Sequence, residues 1–201
     1  MTVEVFDDII SQKEIRYLLK FMEKRDRYFP PTEERKLWLK HGFDWGAADW
    51  PKLWILNTLK KVNVRSFPES IYFSILSKSL DIHTDTGKAE KCHKHVIIPL
   101  EVKNSASTVI FDNKWYGSDF QVNYDNKHLL ENFKKDEPFD KLLYEKYLKH
   151  FDYKLLEGLS VKCVYEWKVG SICVFDSQYI HTNGYLTSPK KAINIWTVNT
   201  L

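Results

Sequence analysis

His83 and Asp85 stand two residues apart at the end of the extended run IYFSILSKSLDI. In extended chain, residues i and i+2 project from one face, so an imidazole nitrogen and a carboxylate oxygen converge on a common point. Such a pair supplies two ligands of a facial triad of two histidines and one carboxylate, and the third must be a histidine from elsewhere. His181 is the candidate, at the point where SICVFDSQYI gives way to the turn-like HTNGY. Iron(II) accepts imidazole and carboxylate together, and three protein ligands on one face leave three positions open. An α-keto acid chelate takes two of them and dioxygen the last. A keto diacid also needs a cation for its far carboxylate. Lys190 and Lys191 follow His181 by nine and ten residues, and strand alternation sends them to opposite faces. Lys190 shares its face with Ala192, Asn194 and Trp196, whereas Lys191 shares its face with Ile193, Ile195 and Thr197. Small and polar neighbours suit a wall that houses a cosubstrate. Lys190, with Asn194 beside it, is therefore the expected binding residue and Lys191 the alternative.

Other residues of these types have plainer readings. His93 and His95 also stand two apart, but they open the strand HVIIPLEV with no carboxylate beside them in matching alternation, so ordinary polar strand residues are expected. His95 has a place in the pocket above the metal as its functional reading. His41, His128 and His150 lie in charged segments and are read as solvated. Trp115 and Tyr116 read as rim packing, and Asp112 and Asp176 as strand ends. Lys88, Lys91 and Lys94 flank the proposed metal mouth as a solvated loop, which would draw in an anionic substrate if functional. Asn183 and Gly184 read as a tight turn.

The elements that must position these groups differ between the two parts of the chain. Residues 3 to 6 read as a short strand. Ser11 and Glu14 form a capping box ahead of Ile15, Leu18, Leu19 and Met22 at helical spacing. Residues 27 to 50, with Trp38, Trp45 and Trp50, read as an ordered surface segment, and a second helix starts near Pro51. After residue 62, VNVRSF, IYFSILS, HVIIPLEV, STVIFD, VKCVYEWK, SICVFDS and AINIWTV are short β-branched and aromatic runs with no alternating helices. That pattern predicts an antiparallel sandwich or barrel, interrupted by an inserted helix within 125–157 that carries Phe139, Leu142, Leu143, Tyr147 and Leu148. The expectation is a single domain over 1–201, with a helical layer over 1–62 and a β-roll core over 63–201.

Composition narrows the alternatives. Hydrophobic residues make up 43% of 201 and aromatics 15%, which is ample for a core and excludes a disordered chain. Thirty basic and 27 acidic residues leave a net charge of +3, with no strong nucleic-acid signal. No apolar run approaches a membrane span, and MTVEVFDD carries acid where a secretory signal would carry base. Three cysteines without zinc-site spacing suggest a reducing, cytoplasmic setting.

The HTD of residues 83 to 85, His181 and the stretch KKAINIWT together resemble the Fe(II)- and 2-oxoglutarate-dependent oxygenases, in the prolyl-4-hydroxylase-like branch. There a basic residue nine or ten positions after the distal histidine, and six before an aromatic residue, binds the 2-oxoglutarate tail. Lys190 and Trp196 have that offset. The resemblance covers residues 63 to 201 and implies a mostly β fold with N-terminal helices and a double-stranded β-helix (jelly-roll, cupin-like) core. It also implies a hydroxylase-type dioxygenase that releases succinate and CO2 from 2-oxoglutarate and acts with O2 on a small-molecule or peptide substrate. This chain has Lys where many members have Arg. Pro99 stands about where a Tyr hydroxyl is often found near the cosubstrate, so Tyr72 is expected to supply that hydroxyl. The rival readings are a non-catalytic jelly-roll binding module and a structural or assembly protein.

Overall fold

Ser11 and Glu14 cap the first helix reciprocally: the Ser11 backbone N–H and hydroxyl donate to the Glu14 carboxylate at 2.8 and 2.6 Å, and the Glu14 N–H donates back at 3.3 Å. The computed structural model describes residues 3–26, 38–42, 49–86 and 92–199; Trp45, Lys88 and Lys91 lie outside them. Helix α1 (Gln12–Asp26) and helix α2 (Asp49–Lys61) lie against a six-stranded antiparallel sheet. Its strands are β1 (Glu4–Phe6), β2 (Trp38–Gly42), β3 (Phe67–Leu76), β4 (Cys92–Val102), β7 (Ile172–Asp176) and β9 (Lys190–Val198), in the order β1-β7-β4-β9-β3-β2. A smaller sheet, order β6-β5-β8, is built from β5 (Ser107–Lys114), β6 (Val161–Glu166) and β8 (Tyr179–Asn183).

Alternation divides the apolar side chains among three layers. Ile193 and Ile195 of β9 join Phe73, Ile98 and Val174 in a core closed by Leu18 and Ile55 of the helices. Ala192 turns the other way, into the space between the sheets, with Ile97, Ile110 and Phe175. Outside the smaller sheet, Phe111 and Ile180 pack under Leu148 and Leu156 of the β5–β6 connection. The architecture is therefore mostly β, a jelly roll with an N-terminal helical layer. No described helix is long and apolar enough to cross a membrane.

Three elements differ from the sequence reading. VNVRSF is not a strand before Phe67, where β3 begins. It finishes α2 with a reverse turn in which Val64 N–H donates to Leu59 C=O (2.9 Å) and Asn63 N–H to Lys60 C=O (3.2 Å). Asn63 takes the left-handed position (φ 57°) that glycine usually fills in this cap, so the β-branched Val62 and Val64 plug the core from a turn. Part of the segment expected to lie on the surface forms β2, paired with β3 from Trp38↔Leu76 to Gly42↔Tyr72. The insertion is a chain of short turns instead of one helix: a 3₁₀ turn (Lys127–Leu129), α3 (Lys141–Leu143), a π turn (Tyr144–Leu148) and α4 (Tyr153–Leu156). Asp140 and Asp152 each start a turn by accepting N–H groups from the residues that follow; Leu142, Leu143, Tyr147 and Leu148 of the expected helix share the unbroken run from Lys141 to Leu148, with Phe139 ahead of its cap.

Candidate metal centre and cosubstrate pocket

Backbone pairing brings the two ends of the proposed site together. His83 N–H donates to His181 C=O (3.0 Å) and His181 N–H to His83 C=O (2.8 Å). Residues that exchange both bonds lie directly opposite and project from the same face. The two imidazoles consequently stand with ring centroids 4.5 Å apart. His181 lies inside strand β8, paired with Ile110 of β5, and not in the turn expected after SICVFDSQYI. His83 is held on its other side by Gln121.

Asp85 meets both rings. Its carboxylate oxygens lie 3.7 Å from His83 Nε2 and 3.2 Å from His181 Nε2, and ligating atoms of the three residues all fall within 4.8 Å of one another. The outer ring nitrogens are committed: His83 Nδ1–H donates to Asp81 C=O (2.6 Å) and His181 Nδ1–H to Tyr179 C=O (3.2 Å). Neutral rings so anchored present their Nε2 lone pairs to the carboxylate, and backbone partners of this kind orient metal-binding histidines. Burial pushes the Asp85 carboxyl up; when the imidazoles are protonated instead, a hydrogen bond from His181 and the positive charges of His83, His95 and His181 outweigh it and hold the group well below the usual carboxylate range. Three electron-pair donors crowded together demand either protons or one cation. The donor set, two imidazoles and a carboxylate, fits a divalent first-row metal.

The cluster opens on a cavity of about 280 Å³ whose wall includes Leu76, Ile97, Gln121, Trp167 and Trp196. Ser74 and Asn194, from neighbouring strands of the larger sheet, line it and are joined by a 2.7 Å hydrogen bond from Asn194 Nδ2. Lys190 is 1% exposed and lies behind that wall. Its ammonium donates to Asn183 Oδ1 and sits 3.7 Å from the centre of the Trp167 ring, both of them lining residues. Among the described residues no carboxylate pairs with it, and burial drives its pKa well down. Lys191, on the opposite face, forms an ion pair with Glu101 at 3.3 Å, away from the cavity. Tyr72 packs edge-on against Trp196 at 5.2 Å and is not among the lining residues; Ser74 and Leu76, further along β3 on the same face, are.

The residue that sequence reasoning placed too low is His95. It is 3% exposed, lines the cavity, and points Nδ1 at Asp85 Oδ2 from 3.3 Å. Burial pushes its pKa down to about 3, against the pull of Asp85. The lack of a carboxylate beside it on its own strand hid it, because Asp85 arrives from another part of the chain. Trp167 and Asn183 were missed for a similar reason: their partner, Lys190, belongs to another sheet. Of the 86–94 loop, residues 87–91 lie outside the described part; Lys94 forms a 2.5 Å ion pair with Asp176.

No protein-family model matches the sequence, and no curated protein does. Solved structures do. A prolyl-4-hydroxylase of Pseudomonas putida matches with a TM-score of 0.58 at 10% identity, over 99% of this chain and 93% of that one. The non-heme α-ketoglutarate-dependent carbocyclase SnoK matches at 0.61 and 10% identity, over 98% and 79%. HygX from Streptomyces hygroscopicus, solved with nickel and 2-oxoglutarate bound, matches at 0.57 and 12% identity, over 99% and 83%. At such identities the likeness is one of architecture, and by that measure the chain has the jelly-roll fold of the 2-oxoglutarate-dependent oxygenases.

Proposed function

We propose that the protein is an Fe(II)- and 2-oxoglutarate-dependent dioxygenase that hydroxylates a C–H bond of a small-molecule or peptide substrate. The observation that carries this reading is the pairing of two features within one cavity. At its mouth stands a histidine–aspartate–histidine donor set, and behind its wall stands a buried ammonium that no carboxylate pairs with among the described residues. Iron held by His83, Asp85 and His181, with 2-oxoglutarate, would supply an oxidant from O2, one oxygen atom going to succinate as CO2 leaves and the other to the substrate C–H bond.

The chain's own residues do the positioning. His83, Asp85 and His181 hold the metal from one side, each imidazole locked by a backbone carbonyl. Lys190 neutralises the far carboxylate as a compact charge, which requires Asn183 Oδ1 to give up the ammonium or share it. Asn194 fixes the adjoining wall through Ser74 and His95. Leu76, Ile97 and Trp196 exclude water from the reacting carbon, and Gln121 borders the entrance where substrate selection is expected.

Anaerobic addition of Fe(II) and 2-oxoglutarate should produce the weak visible charge-transfer band of the chelate. His83→Ala and Asp85→Ala should each abolish that band and iron-dependent 2-oxoglutarate consumption while leaving the circular dichroism spectrum of the fold unchanged. A fully iron-loaded protein without the band would favour the binding-module reading.

A further inference from the structure

Asp81 and Gln121 are exposed while every other residue that lines the cavity is buried or half-buried, so these two stand at its entrance. Both are fixed against the donor set. Asp81 C=O accepts the Nδ1–H of His83 (2.6 Å), and the backbone of Gln121 is bridged to that of His83. Asn126 Nδ2 holds Gln121 C=O from the other side (2.9 Å). Between the two side chains, Gln121 Nε2 donates to Asp81 Oδ2 at 2.5 Å. A carboxylate only accepts, so the amide has to turn its NH2 group to Asp81 and keeps Oε1 as an acceptor. Asp81 Oδ1 is a second acceptor at the mouth, and among the described residues no lysine or arginine pairs with Asp81. Lys94, expected to draw in an anion, is held by Asp176. Deeper in, charges balance once the site is filled. A divalent ion exceeds Asp85 by one positive charge, Lys190 adds another, and a keto diacid cancels both. Asp81 is left as the uncompensated charge of the lining.

We propose that Asp81 and Gln121 select a substrate that carries a cationic nitrogen, an ammonium or a guanidinium, close to the C–H bond that reacts. The proposal rests on the oxygenase reading and names its substrate class. Asp81 Oδ1 pairs with the cation and Gln121 Oε1 accepts a further N–H, while the carbon chain reaches past them into the cavity. The pair stays open to water, so its selectivity is modest and is read as a ratio between molecules of one shape.

Cobalt(II) is the probe of position, because its unpaired electrons broaden the proton NMR lines of molecules that dwell beside it. Cobalt and 2-oxoglutarate are added to the wild-type protein, Asp81→Asn and Asp81→Lys. Three molecules with the same ring and different charge are then titrated in: cyclohexylammonium, cyclohexanol and cyclohexanesulfonate. Ring broadening is read relative to that of 2-oxoglutarate in the same sample, so a variant that has lost the centre is recognised. The expected result for wild type is about two- to five-fold more broadening of the ammonium than of the alcohol. Asp81→Asn should abolish that preference, and Asp81→Lys should turn it towards the sulfonate. A wild-type preference for the sulfonate, equal broadening of all three rings, or none, would overturn the proposal. So would an ammonium preference that survives both substitutions. Cobalt that leaves 2-oxoglutarate unbroadened, or broadens it equally with His83→Ala, would instead remove the oxygenase reading beneath it.

Discussion

A buried lysine is an expensive way to line a protein interior, and Lys190 shows what the expense is for. Among the described residues its ammonium is offset by an amide oxygen and an aromatic face, and burial holds its pKa well below the ordinary lysine range. A base depressed by folding binds more protons in the unfolded chain. The ligand-free protein should therefore gain stability as pH rises from the depressed value towards about 10, and the penalty should be complete below that window. Lys190→Met is expected to raise the melting temperature of the ligand-free protein at neutral pH and to flatten this alkaline gain. It should also cost most of the affinity for 2-oxoglutarate, measured by isothermal titration. A variant that is less stable than wild type at neutral pH and binds the diacid normally would contradict the assignment.

Backbone pairing aims the two imidazoles at this site, His181 from β8 and His83 from an isolated bridge to it, while Asp85 lies in the loop that follows. The opposed pair His83 and His181 owes its common direction to register, and a slip of one residue in β8 would turn His181 to the far face. The β5–β6 connection braces that strand from outside, with Leu148 and Leu156 packed on Ile180. Gly158 closes the connection at φ 84°, and a Cβ there would lie 2.3 Å from the Phe133 ring. Gly158→Ala should thus destabilise the protein by about 1–3 kcal/mol, read as a lower urea midpoint. Metal affinity at moderate denaturant should fall along with it, because loosening this layer frees β8. An alanine variant with an unchanged midpoint would show that the connection is not a brace.

The molecule as a whole is three apolar layers separated by two sheets, and the helical layer shares its core with the sheet that carries Lys190 and Asn194. Such sharing predicts one cooperative unfolding transition over the whole chain, with equal calorimetric and van't Hoff enthalpies. Leu18, 1% exposed on α1, tests the coupling. Leu18→Ala should cost about 2–5 kcal/mol and lower the single transition by about 2–4 °C for each kcal/mol. Cobalt binding below that transition should be unaffected. Two separate transitions would divide the helical layer from the roll.

Local chemistry was legible without coordinates. The capping box of α1, the β-rich texture after residue 62, the i, i+2 pairing of His83 with Asp85 and the alternation separating Lys190 from Lys191 all depend on neighbours along the chain. Backbone geometry imposes those relations wherever the segments end up. What lay beyond the sequence depends on partners far away in it. Asn63 replacing glycine in a helix cap turned an apparent strand into a turn, and capping aspartates confined the inserted helix to short runs that begin at Lys141 and Tyr153. Only the folded roll set His95 against Asp85, and Lys190 behind Trp167 and Asn183. Periodicity reports which face a residue occupies, and the register between strands from opposite ends of the chain decides what that face meets.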